Sequence, residues 1–237
     1  SNPPENGQHE RIARVIRNLQ RLKDIQKAVS EIVSPPHYAP RRFSVDTLVQ
    51  EILREIATQS AHRSTRISVA KRCQRDECDS VDPEIFAEAL HTLVKNAVEN
   101  TPDEGLVTIR LDGSASGLLL EVEDTGVGIP ARDEAFIFDA FHHTQSTSHY
   151  STKQPFDFDA GGKGLELMRL RMLSEACLFT IGFRTRRCCH LVPHGYSCPG
   201  RVSACAYVSS LDECRASGGT TFSILFHDRS PSLPASS

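Results

Sequence analysis

The chain has 237 residues, 39% hydrophobic and 24% charged, with a net charge of -3 and both signs mixed. That composition supports a packed core and argues against wholesale disorder, and it lacks the basic excess expected of a nucleic-acid binder. The longest apolar runs, such as Gly117–Leu120, are far too short to span a bilayer, so no membrane segment is expected.

Residues 9–33 predict one long helix. Ile12, Val15, Leu19, Leu22, Val29 and Val33 fall at heptad spacing, broken only by Gln26 and widened by Ile16 and Ile25. A seam this long needs another long helix to cover it, so a helical bundle or a homodimer through this segment is expected. Pro35-Pro36 ends it. Ser44 then caps a second helix, with Asp46 in its first turn and Leu48, Ile52, Leu53 and Ile56 along it. A short strand is predicted at 67–71. Asp82-Pro83 pairs an N-cap with a proline at the first helical position, starting a helix that runs to Asn100 and stops at Thr101-Pro102. Strands follow at 107–111 and 118–123. Residues 130–161 are polar and weakly periodic. A helix at 164–176, a strand at 179–184, a cysteine-bearing segment at 186–216 and a strand at 220–226 complete the chain before a frayed tail.

The elements do not alternate as regular βαβ units. They predict an α+β fold, a mixed sheet with helices on one face, preceded by the long N-terminal helix. The expected domains are a helix and linker over 1–40, a main domain over 41–228 with an insertion at 186–216, and a tail over 229–237.

Three patterns carry chemistry. In the first, Leu118, Leu120 and Val122 alternate toward one face, and period two puts Asp124 on that same inward face. A carboxylate aimed into an apolar pocket needs a donor, and an adenine amino group is one. Gly126 and Gly128 let the following turn approach a ligand closely. In the second, Thr92, Asn96 and Asn100 share one helix face opposite an apolar stripe of Phe86, Leu90, Leu93 and Ala97. A mid-helix asparagine offers a hard, neutral oxygen suited to Mg²⁺. The third is Gly161-Gly162-Lys163-Gly164-Leu165, a glycine-rich helix entry of the kind that presents N–H groups to phosphates.

Taken in order, with Ile137-Phe138-Asp139-Ala140-Phe141 between the last two, these patterns resemble the N, G1, F and G2 boxes of the GHKL (Bergerat-fold) ATPases, and of those the sensor histidine kinases most. Gly218-Gly219-Thr220-Thr221-Phe222 resembles the strand that closes the family's sheet. The resemblance covers residues 44–185 and 217–227. It implies an ATP-dependent protein-histidine kinase with ATP and Mg²⁺ as cofactors. Asp124 would bind the adenine amino group, and Gly126, Gly128 and Ile129 would line the base pocket. Asn96 would hold Mg²⁺ beside Asn100. Gly162, Gly164 and Leu165 would admit the phosphate tail. Residues 131–161 would form a lid steadied by Phe138 and Phe141, with Lys153 and Lys163 as its phosphate cations. The implied partners are ATP or ADP, a phosphoacceptor helical hairpin of the same protein, largely absent here, and a response regulator receiver domain. Residues 9–33 would be the hairpin's second helix. Three positions depart from the family pattern: Thr92 replaces an Asn or Glu, Glu99 a basic residue, and Glu166 a glycine. A clamp-type ATPase needs a carboxylate where Thr92 stands. A non-catalytic nucleotide-, metal- or redox-sensing module of the same fold fits Glu99 and Glu166.

Eight cysteines, five of them after residue 187, suit a reducing cytoplasm better than a disulfide scaffold. Cys189, Cys198, Cys205 and Cys214, with Cys188 as an alternate to Cys189 and His190 and His194 as further donors, are candidate ligands for Zn²⁺ or an iron–sulfur cluster. Their segment is expected to have no secondary structure of its own, and to extend the sheet away from the adenine pocket.

Overall fold

A computed structural model of the chain describes residues 12, 15, 16, 18, 19, 23, 26, 39–72, 76–114, 116–139, 153–160, 165–177, 179–191 and 197–228. Phe141, Gly161, Gly162, Lys163 and Gly164 lie outside them, as does most of the 9–33 segment. The seven described residues of that segment are helical and exposed, among them Ile12, Val15, Ile16 and Leu19.

The main domain opens on α1 (Val45–Gln59), where the Ser44 hydroxyl accepts the Thr47 N–H as expected of an N-cap. Val45, Val49, Ile52 and Ile56 form its buried stripe. The second helix, α2 (Pro83–Asn100), starts at the predicted Asp82-Pro83, with Asp82 accepting from Glu84 N–H. Phe86, Leu90, Leu93 and Ala97 are buried as expected; of the three polar residues, Asn96 and Asn100 are half-buried, but Thr92 is buried with the apolar stripe.

Two sheets are present among the described residues. A two-residue pair, β1 (Phe43–Ser44) with β3 (Glu77–Cys78), ties the entry of α1 to the loop before α2. The main sheet contains β2 (Arg66–Lys71), β4 (Leu106–Ser114), β5 (Gly117–Asp124), β6 (Phe179–Arg186) and β7 (Gly219–His227). Its order is β2-β4-β5-β7-β6, with β2 parallel to β4 and every other pair antiparallel. Strict alternation makes it one-sided: Val107, Ile109 and Leu111 on β4, Leu118, Leu120 and Val122 on β5, and Phe222, Ile224 and Phe226 on β7 all face the helices. The opposite face carries charge, with Glu123 bound to Arg110 and Arg215. Two further helices are α3 (Ala131–Glu134) and α4 (Glu166–Cys177), the latter joined to α2 by an Arg169–Glu88 ion pair.

The cysteine-bearing segment differs from its expectation in having secondary structure: a 3₁₀ turn at Val202–Ala204 and a helix, α5 (Leu211–Ser217), capped by Ser210. The signal was present, since Ser210 followed three residues later by Glu213 is a capping box.

Candidate functional site

One row across the sheet sets the site. Val107 on β4, Asp124 on β5, Thr220 on β7 and Thr185 on β6 stand in register at the strand ends nearest the polar end of α2. Asp124 is 4% exposed. Both hydrogen bonds it makes among the described residues end on Oδ1, from Gly126 N–H at 2.8 Å and Thr220 N–H at 3.2 Å. Burial outweighs those two donors and pushes the carboxyl up to about 7. The backbone therefore orients one oxygen and leaves the other to an external donor.

The loop after Asp124 is clamped on both sides. Val127 N–H reaches Asn100 O at 3.3 Å, and Ile129 N–H reaches the Thr185 hydroxyl at 2.9 Å. From the β6 side, Cys188 N–H and the Arg187 guanidinium donate to Val127 O and Gly128 O at 2.9 and 2.8 Å. A Cβ on Gly126 would stand 2.3 Å from Asn100 O, and Gly128 has φ +66° with Arg186 O at 2.0 Å from its Cβ position. Both glycines are thus required by close approach. Ile129 is buried beside this loop, and Phe138 packs edge-on against Phe183 and Phe222 on the helix side of the sheet.

On α2, the Asn100 amide donates to Asn96 O at 2.8 Å and Asn96 Oδ1 at 3.3 Å, so the two asparagines orient each other. Asn96 is half-buried and Leu165 buried. Lys153 is engaged by its own segment: its ammonium donates to Phe158 O at 2.7 Å and Asp159 O at 3.2 Å.

The structure shows how two departures from the family pattern fit together. Lys95 lies 3.5 Å from Glu99 and 3.4 Å from Glu166, one cation between both unexpected carboxylates. Burial opposes the charge on Lys95, but the two carboxylates outweigh it and hold its pKa above the usual value. Burial raises the pKa of Glu99 in turn. Glu99 also grips residues 156–159 of the 131–161 stretch, accepting from Phe156 N–H at 3.1 Å, while its backbone oxygen takes Asp159 N–H at 2.7 Å. Phe156, with φ +70° and 1% exposed, packs edge-on to His91. Arg63 completes the clasp by donating to Phe156 O, Val98 O, Thr101 O and Asp103 Oδ1. Lys95, Arg63, Phe156, Thr185 and Thr220 were not singled out from sequence. Each acts through partners dozens of residues away, apart from Lys95 with Glu99 one turn along.

Residues 81–230, more than half of the chain, match the model of the histidine kinase-, DNA gyrase B- and HSP90-like ATPases. The chain belongs to that family. Its relatives include the sensor histidine kinase ZraS of Escherichia coli, 24% identical over 60% of this chain and 31% of ZraS. The phosphate regulon sensor protein PhoR of Pseudomonas aeruginosa is 31% identical over 52% of this chain and 26% of its own length. The chain thus spans about a third or less of these relatives. Among solved structures, histidine kinase ThkA in complex with response regulator protein TrrA has a TM-score of 0.62 at 16% identity, covering 95% of this chain and 52% of that one. Acinetobacter baumannii histidine kinase AdeS has a TM-score of 0.58 at 14% identity, covering 96% and 88%. These likenesses agree with the fold described above, the α+β sheet with helices on one face. Among the described residues no helix is long and apolar enough to cross a membrane.

Proposed function

We propose that this chain is the ATP-binding catalytic domain of a two-component sensor histidine kinase, which moves the γ-phosphate of ATP to a histidine on a helical hairpin of the same protein. The carrying observation is Asp124: a buried carboxylate with one oxygen fixed by Gly126 and Thr220 N–H, at the end of a central strand and beside a loop held to Asn100. That arrangement suits an adenine, whose amino group supplies the missing donor. Gly126, Gly128 and Ile129 form the wall for the base.

The donor set on α2 fits Mg²⁺. Asn96 Oδ1 is a hard, neutral oxygen, oriented by Asn100, and Mg²⁺ commonly takes a single protein ligand with phosphates and waters around it. When bound, the ion neutralises charge on the phosphates. The chain's own residues position: Asp124 sets the base, Asn96 and Asn100 set the phosphate side, and the Phe156 clasp holds one end of the lid. With a receiver domain as the next acceptor, a response regulator is the downstream partner, and residues 9–33 are the segment through which a homodimer would form.

A second reading is a nucleotide-binding module without kinase activity. It is favoured by Glu99, which stands where the family pattern has a basic residue, and by Lys95, whose charge is already shared by two carboxylates. Titration of the chain with ATP and ADP, with and without Mg²⁺, tests the site. Mg²⁺-dependent binding of both is expected, and no binding at millimolar nucleotide would remove the assignment. Phosphoryl transfer to the supplied hairpin separates the two readings: labelled phosphohistidine supports the kinase, and binding without transfer supports the module.

A further inference from the structure

The late cysteines are not a remote appendage. Cys188 follows β6 and its N–H holds Val127 O at 2.9 Å, while the Cys214 thiol on α5 points at Thr125 O, 4.0 Å away. Both positions bracket the loop that starts at Asp124. Gly218, which ends α5, packs on Cys188, whose Cα would be 2.8 Å from a Cβ there. Cys198 and Cys205 arrive on the other side. Gly200 O accepts Asp103 N–H at 2.8 Å, Asp103 O accepts Val202 N–H at 3.1 Å, and Cys205 N–H closes the 3₁₀ turn on Val202 O at 3.0 Å.

The four thiols are near enough to interact electrostatically. Cys214 feels Cys198, Cys188 and Cys205, and Cys198 feels Cys188 and Cys205. Cys189 is exposed and is absent from both sets. Burial raises the Cys198 thiol above its usual range, and the Gly200 N–H within Cys198-Pro199-Gly200 offsets only part of that. Burial, with the mutual repulsion of the thiols second, raises Cys214 to about 11.

We propose that Cys188, Cys198, Cys205 and Cys214 form a tetrathiolate site for a thiophilic metal ion, Zn²⁺ first, which braces the adenine loop from behind. This moves the first ligand from Cys189 to Cys188 and corrects the expected position away from the adenine pocket. Among the described residues no three His, Cys, Asp or Glu side chains stand at coordinating spacing. A thiophilic metal binds thiolates at about 2.3 Å and releases their protons, so binding would draw the four sulfurs together. Both signs of charge lie nearby, with Asp159 close to Cys198. Arg187 lies beside Cys188 and spends its hydrogen bonds on Val127 O and Gly128 O.

The site also reaches the lid. Phe158 packs against Gly200, with its Cδ1 3.0 Å from a Cβ placed there. One ion would therefore stiffen both the loop carrying Asp124 and the root of the lid, so metal and nucleotide affinities are coupled. The coupling rests on the nucleotide reading above; the metal site does not.

The test begins without nucleotide. The chain purified without chelator should hold one equivalent of zinc, with these four thiols closed to a thiol reagent and the exposed Cys189 open to it. Replacement by Co²⁺ should give sulfur-to-metal charge transfer with the strong visible bands of tetrahedral thiolate, a reading on the unmutated protein that does not depend on variants folding. Cys188→Ser should lose the bands and Cys189→Ser should keep them. Zinc below a tenth of an equivalent with all four thiols reactive, or disulfides among them, would overturn the site. Loss of the bands in Cys189→Ser but not Cys188→Ser would overturn the ligand set. Stripping the zinc with Mg²⁺ restored should weaken ADP binding about tenfold, within the range of ordinary coupling energies. Unchanged ADP affinity in the stripped protein would refute the coupling and leave the metal site standing.

Discussion

Asp124→Asn separates ligand recognition from folding at one position. In the native chain Oδ1 takes both backbone donors, Gly126 N–H and Thr220 N–H. An asparagine can keep those two bonds only by placing its own oxygen there. Its amide N–H₂ then occupies the place of Oδ2 and faces the amino group of adenine, donor against donor. The variant loses a charge-assisted bond, about 1.5–3 kcal/mol, and buries an unmatched donor, about 1–3 kcal/mol more. Together about 3–5 kcal/mol is at least a hundredfold in Kd. Folding should move the other way. The carboxyl at about 7 instead of 3.8 means that ionising it in the fold at pH 8 costs roughly 4 kcal/mol, and the amide removes that cost. ADP titration by calorimetry and urea unfolding of the nucleotide-free protein, both at pH 8, read the two effects. Affinity within threefold of wild type would refute the adenine assignment. Loss of stability would refute the account of the buried carboxyl.

The same carboxyl sets a pH dependence. The folded state binds the proton more tightly than the unfolded chain between about 4 and 7, so stability falls as pH rises through that window, by about 3 kcal/mol between pH 5 and 8 from this group alone; comparing wild type with Asp124→Asn by urea unfolding at each pH isolates it, and a pH-independent difference would be wrong for this mechanism. ADP affinity should drop about tenfold from pH 8 to pH 6 as the carboxylate is protonated. Arg63→Met strands the carbonyls of Thr101 and Phe156 and removes one of the two donors to Val98 O, at a cost of about 3 kcal/mol; a loss under 1 kcal/mol in chemical denaturation would show that the clasp is not structural. Lys95→Met leaves Glu99 buried beside Glu166 without a cation, costing about 3–5 kcal/mol at neutral pH. Because burial already raises Glu99, acidification should restore that variant, as should adding Glu99→Gln, and a thermal melt that ignores both rescues would sink the triad.

Local signals carried much of the architecture. Asp82-Pro83 starts α2, Ser44 caps α1, and period two along β5 places Asp124 inward, because each feature is written within a few residues. The parallel pairing of β2 with β4 is not of that kind: it depends on register between residues 66 and 106 and on no turn signal. The two-residue strands β1 and β3 are too short for periodicity to show. In the site, Asp124 and the glycines were legible, whereas Thr220 and Thr185 enter only through strand register. Cys188 and Cys189 are indistinguishable by spacing. What separates them is the Cys188 N–H on Val127 O, which no linear pattern encodes.

The Lys95 bridge has a consequence for the history of this chain. Glu99 and Glu166 come from different helices, and the buried Glu99 shares Lys95 with Glu166. Loss of Lys95 leaves the buried Glu99 without that cation, whereas loss of either carboxylate still leaves one Lys95 ion pair, so the lysine is the position least free to drift. Lineages that carry Glu99 should therefore keep Lys95, and a chain found with Glu99 but without Lys95 should show a neutral side chain at position 166.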